Sequence, residues 1–119
     1  MRNYIITILL IATQILSQSV IAGQINAAKI KAIIMDDLGL VRLSLVEGTV
    51  ISAQASCAQS SNYQEFIFDI NAPSGNGWHA MALSAQAMQA SVNIVGSGLC
   101  KLQWGSRSTE SVSTIYVVK

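Results

Sequence analysis

The sequence predicts a small, mainly β domain with one α-helix: an α+β barrel of five to seven short strands, the helix following the fourth. Three observations predict it. Apolar residues recur with a period of two through most of residues 27–70 and again through 91–118. Between these stretches lies a charge-free segment rich in Ala and Met, with the apolar spacing of a helix. Clusters of Gly, Ser, Asn and Asp punctuate the chain wherever the pattern changes.

The first 22 of the 119 residues read as a secretory leader rather than as part of the barrel. Met1 and Arg2 open it, Tyr4 to Leu16 is mostly Ile, Leu and Thr, and Val20 and Ala22 stand at the −3 and −1 positions of a cut before Gly23. The unbroken apolar run falls short of the roughly 20 residues a membrane span needs, and Gln14 and Gln18 interrupt it. No Cys follows the cut to carry a lipid. Residues 23–119 then form a single domain of 97 residues, too few for two cores. The expected destination is the periplasm or the outside of the cell.

Each element has its own signature. Ala27 to Met35 sets Lys29 and Lys31 against Ala28, Ile30 and Ala32, the pattern of a half-buried strand. Asp36-Asp37-Leu38-Gly39 is a turn, and Leu40 to Val46 alternates again. Glu47-Gly48 reads as a second turn, leading to a third strand over Thr49 to Cys57. Gln64 to Ile70 is the fourth, with Phe66, Phe68 and Ile70 on one face and Glu65, Ile67 and Asp69 on the other. The first half is therefore a β-meander. Trp78, Met81, Ala85 and Met88 then line one face of a helix over about 77–90, with Asn76 as its expected N-cap. Strands return at Ser91 to Val95, at Leu99 to Trp104 and at Ser111 to Val118, with a turn at Gly105 to Thr109.

Composition excludes several kinds of function. Without Arg2 the domain has six basic and six acidic side chains, no surplus for binding phosphate backbones, so nucleic acid is not an expected partner. Nothing from Ile70 to Cys100 is charged, so the helix expects cover on more than one side, and a subunit interface would supply it. Cys57 and Cys100 are expected to form one structural disulfide, since an exported chain without a CxxC pair offers no redox or metal motif. His79 is the only histidine, and no serine near a nucleophile turn or orienting acid accompanies it. No metal-ligand spacing, phosphate loop or cofactor motif occurs, so the expectation is a non-catalytic protein with no catalytic residue, metal or cofactor. Trp104, Tyr63 and Trp78 remain as candidate ligand-binding aromatics, able to stack on a sugar. The alternative for both Trp residues is a place in the core or an interface.

The order of strands with one helix after the fourth is close to that of the five-stranded OB-fold barrel, with one or two short strands more. The segment GWHAMALSAQAMQASVNIVGSGLCKLQW, continued by SVSTIYVVK, also resembles the end of secreted bacterial toxin B subunits of the enterotoxin type. It is equally similar to small exported uncharacterised proteins with the same helix–strand–Cys–strand ending. The likeness covers about residues 77–118. In the toxin group the first Cys lies near the mature N-terminus and the helix is well charged, whereas here Cys57 is on the third strand and the helix has no charge. The resemblance implies a ring-forming homo-oligomer, a pentamer by preference, with Met81, Gln86 and Gln89 lining its inner face. It implies recognition of a cell-surface glycan or protein receptor, with a secreted catalytic subunit as a further partner. The other expectation is a monomeric periplasmic domain that binds or inhibits another protein.

Overall fold

The computed structural model describes residues 22–58, 64–104 and 107–118, without the side chains of Gln103, Trp104 and Arg107. Residues 1–21, and with them the expected leader apart from Ala22, lie outside the described residues. Eight strands and one helix follow in the order β1 (Gln24–Met35), β2 (Leu40–Val46), β3 (Thr49–Ser52), β4 (Glu65–Asp69), α1 (Gly75–Met88), β5 (Ser91–Gly96), β6 (Gln103–Trp104), β7 (Arg107–Ser108) and β8 (Val112–Val118). The main sheet runs β4-β2-β1-β5-β8, all antiparallel, with β3 also on β1. A parallel bridge between Ile67 and Ser111 brings the two end strands together, reinforced by the Ile67 N–H donating to the Glu110 carbonyl at 3.1 Å. That closure, with a helix between the third and fourth barrel strands, is the OB-fold arrangement.

β1 is the frame on which the barrel curls. Its C-terminal half pairs with β2 and its N-terminal half with both β3 and β5. An extra residue makes the bend. Ile25, Ala28 and Ile30 all face the core, a spacing that breaks strict alternation, and Ala27 between them adopts φ 53°. The Asn93 side-chain oxygen accepts the Ala27 N–H at 2.8 Å and holds the bulge.

Two of the expected boundaries are corrected here. Glu47-Gly48 is a bulge rather than a reversing turn: β2 and β3 pair with the same edge of β1, Glu47 takes φ 64°, and the direction does not change. The first half is therefore a meander of three barrel strands, the middle one broken into β2 and β3. β3 also stops at Ser52 rather than Cys57, because β1 has no further residues to pair with it. Gly48 fits the bulge for a steric reason, since a Cβ there would meet Ile25 Cδ1 at 2.4 Å.

β2 and β5 behave as read, with Val41, Leu43 and Leu45 inside on one and Val92, Ile94 and Gly96 inside on the other. β4 does not: Phe66, Ile67 and Phe68 are all buried, because the segment before β8 covers the face that alternation assigns to solvent. Expected strand Leu99–Trp104 survives only at Gln103–Trp104, paired with β7 where a turn was expected.

The helix starts at Gly75, with Ser74 as N-cap and no side-chain cap bond; Asn76 is already inside it. The cause is close packing on the end of β4. A Cβ on Gly75 would lie 2.2 Å from the Asp69 carbonyl oxygen and 2.5 Å from that of Ile70, so this turn of helix forms where only glycine fits. Gln89 ends it at φ 50°, with the Ala90 N–H donating to Ala85 O at 2.9 Å. Ala82 and Ala85 face the barrel, small enough for the helix to sit close against β1 and β8. Among the described residues, no helix is long and apolar enough to cross a membrane.

Candidate functional site

A cleft of about 380 Å³ opens between the start of α1, the end of β4 and the segment that leads from β5 to β8. Its walls are mostly apolar, from Phe68, Trp78, Leu99 and Leu102, and its polar groups include Asp69, Lys101 and Ser111. Phe68 and Trp78 meet edge to face, with ring centroids 5.6 Å apart at 78°. The Gly75 contact that draws the helix onto β4 also sets Trp78 over Phe68. Trp78 is thus a partly buried residue against the core that also lines the cleft.

The opposite rim is irregular backbone held in place by bonds. Ser97 N–H donates to Ser111 O at 2.7 Å, and Ser111 N–H donates back to Leu99 O at 2.9 Å. The Ser97 hydroxyl accepts the Leu99 N–H at 3.2 Å. The Cys57–Cys100 disulfide then ties this rim to the segment after β3, with Cα atoms 6.0 Å apart, as the cysteine count led one to expect. A closed covalent loop of this kind keeps an irregular rim in one shape. Ser111 Oγ is buried without a hydrogen-bond partner among the described residues.

Beneath this rim lies an unexpected residue. Glu110 is fully buried, and its carboxylate accepts the backbone N–H groups of Gly23 at 2.9 and 3.2 Å, of Gly98 at 3.3 Å and of Ala55. It ties the residue before β1, the segment after β3 and the rim to one side chain. Sequence reasoning did not single out Glu110, which falls between the expected turn at Gly105 to Thr109 and the last strand, because nothing in the local pattern marks a carboxylate that will be enclosed from three directions.

A second depression, of about 350 Å³, lies between β1 and the end of α1, lined by Lys29, Lys31, Glu47, Gln86 and Gln89 among others. It is polar. Lys29 and Glu47 approach to 4.0 Å across its mouth with both side chains substantially exposed, a pair worth little energy. Gln86 Nε2 donates to Lys31 O at 3.3 Å.

Of the expected interface residues, Gln86 and Gln89 line this second depression and Met81 does not. Met81 packs against the core, Gln86 reaches β1, and Gln89 projects from the helix end. The outward face is formed instead by Ala80, Leu83, Ser84, Ala87 and Met88, with Leu83 46% and Met88 65% exposed. Met88 therefore leaves the inward stripe that Trp78, Met81 and Ala85 continue. His79 is half-buried on α1 and does not line the cleft. Tyr63 and the Trp104 side chain lie outside the described residues; the backbone of Trp104 pairs with Arg107 in the β6–β7 hairpin.

Chemically, the cleft pairs an apolar wall with a few polar groups, the make-up that small-ligand sites commonly have. No group of three or more potential metal ligands occurs among the described residues. Comparison with protein-family models, characterised proteins and solved structures found no match.

Proposed function

We propose that this chain is an exported, non-catalytic binding subunit that recognises a cell-surface glycan or protein through the cleft beside Trp78 and acts as a homo-oligomer. The cleft is the observation that carries the reading. An aromatic wall flanked by Ser111, Asp69 and Lys101 suits a ligand with one apolar face and several hydroxyl or amide groups. The disulfide-tied rim limits the ordering cost of binding.

The oligomer rests on a different feature. The outward face of α1 is uncharged and partly apolar, an unusual surface for a helix that meets only water. Single shallow sites bind weakly, and a ring of copies gains by avidity on a surface that displays many receptors. The pentamer, and a catalytic partner chain, belong to this proposal through the toxin-subunit resemblance alone.

The test is the solution mass of the processed, oxidised protein by light scattering, followed by glycan-array screening. A mass of several subunits with array binding that Leu99→Ser abolishes supports the proposal; Leu99 is exposed and lines the cleft, so its loss leaves the core intact. A monomer without glycan binding overturns it in favour of a protein-binding or inhibitory domain.

A further inference from the structure

The position of Gly23 under Glu110 joins an expectation from the sequence to an observation from the structure. The expected leader cut is at the Ala22–Gly23 bond. The structure puts the nitrogen of that bond against both oxygens of a fully buried carboxylate, at 2.9 and 3.2 Å. We propose that leader removal turns the Gly23 nitrogen into an α-ammonium group whose buried counter-ion is Glu110, so that processing completes the fold. This rests on the export reading and not on the binding reading.

The surroundings fit that role. An ionised carboxylate is costly to bury unless a positive charge or several donors accompany it. Among the described residues, no Lys or Arg forms a salt bridge with Glu110; the two ion pairs found there are Lys29–Glu47 and Arg42–Glu65. Its partners are the three backbone N–H groups already described, of which only that of Gly23 can become charged. The Gly23 backbone is also positioned with little freedom. Its carbonyl accepts the Gly96 N–H at 2.7 Å, and a Cβ on it would stand 2.8 Å from Gln54 Cα and 3.0 Å from Glu110 Oε1. A Cβ on Gly96 would meet Glu110 Oε2 at 1.4 Å. Glycine at both positions leaves room for the carboxylate and for an amine beside it.

Chemically, hydrolysis of the Ala22–Gly23 peptide adds water across the bond, leaving a carboxylate on the departing leader and an amine on Gly23. That amine takes up a proton at neutral pH, its ordinary pKa being about 7.7–8.0. Before cleavage, the same nitrogen offers one neutral N–H. The uncleaved chain therefore lacks the ion pair, and its barrel is the less stable of the two.

The test compares the processed protein beginning at Gly23 with a chain one residue longer, beginning at Ala22, which moves the ammonium outward and restores an amide at Gly23. Thermal unfolding is followed at pH 6 with the disulfide intact, in the native and Glu110→Gln backgrounds. The expected result is a melting temperature several degrees higher for the Gly23 chain, a gap that closes in Glu110→Gln. The groups set against the amine are Glu110, Gln54 and the backbone of Gly96. A pairing with Glu110 raises the amine's pKa, so the gap is full below about pH 7.7 and disappears as pH rises through the raised value. Equal melting of the two native chains overturns the proposal. Should Glu110→Gln fail to fold, titration of the ¹⁵N-labelled Gly23 amine decides: a pKa raised by a unit or more supports the pair, and an ordinary value overturns it. N-terminal sequencing of the exported protein separately checks the cut, and a mature chain that starts elsewhere overturns the proposal through the leader reading.

Discussion

Glu110 and Gly96 show how single residues organise this barrel. Gly96 is the last residue of β5 and lies under the carboxylate, with no space for a methyl group. Gly96→Ala therefore forces either the backbone or Glu110 to move, at a cost of about 3 kcal/mol or somewhat more, read as a lower urea midpoint. The Glu110→Ala change orphans the N–H groups that the carboxylate serves and is itself destabilising. Combined with Gly96→Ala it should cost less than the sum of the two, because the shortened side chain removes the clash. At the other end of the helix, Gln89 holds φ 50° and is exposed. Gln89→Gly relieves that conformation and should raise stability by about 0.5–1 kcal/mol, measured in the same urea titration.

Elements behave as their neighbours permit. α1 has an inner stripe of Ala82 and Ala85 with Trp78 and Met81 beside it, and an uncharged outer face with Leu83 and Met88. Substitutions on that outer face separate folding from assembly. Leu83→Glu should leave the stability of a monomer within about 0.5 kcal/mol, while reducing the mass found by light scattering if copies meet there. Unchanged mass from an oligomer would move its interface off this helix. The strands show a similar dependence on context. β2 alternates because one face meets the core and the other does not, whereas β4 buries Ile67 as well as Phe66 and Phe68 because the β8 approach covers it. Period-two reading works where a strand has one buried face and fails where a loop supplies a second.

At the scale of the molecule, closure distributes the work between sheet, helix and disulfide. β1 joins both ends of the sheet, the Ile67–Ser111 bridge seals the seam, and the helix sits against β1 and β8. The Cys57–Cys100 bond spans 43 positions of sequence across that arrangement. Reduction should cost about 2–4 kcal/mol, seen as a lower melting temperature in dithiothreitol. It should also loosen the Ser97–Leu102 rim and weaken any cleft ligand more than the loss of stability alone explains.

By itself the sequence determined the element types and most of their order: the paired strands β1 and β2, the helix after β4, strands β5 and β8, and the disulfide. Those rest on local periodicity, turn chemistry and the redox logic of an expected exported chain, all of which act over a few residues or on composition. Tertiary structure alone decided that Glu47-Gly48 continues a strand instead of reversing it, because both sides of that pair find β1 as partner. It also decided that Leu99 and Trp78 face one cleft, and that a glutamate just ahead of the last strand becomes a buried anchor for Gly23, Ala55 and Gly98. Each of these depends on groups brought together from distant parts of the chain, and no local pattern records the charge, space or donors that closure of the barrel supplies.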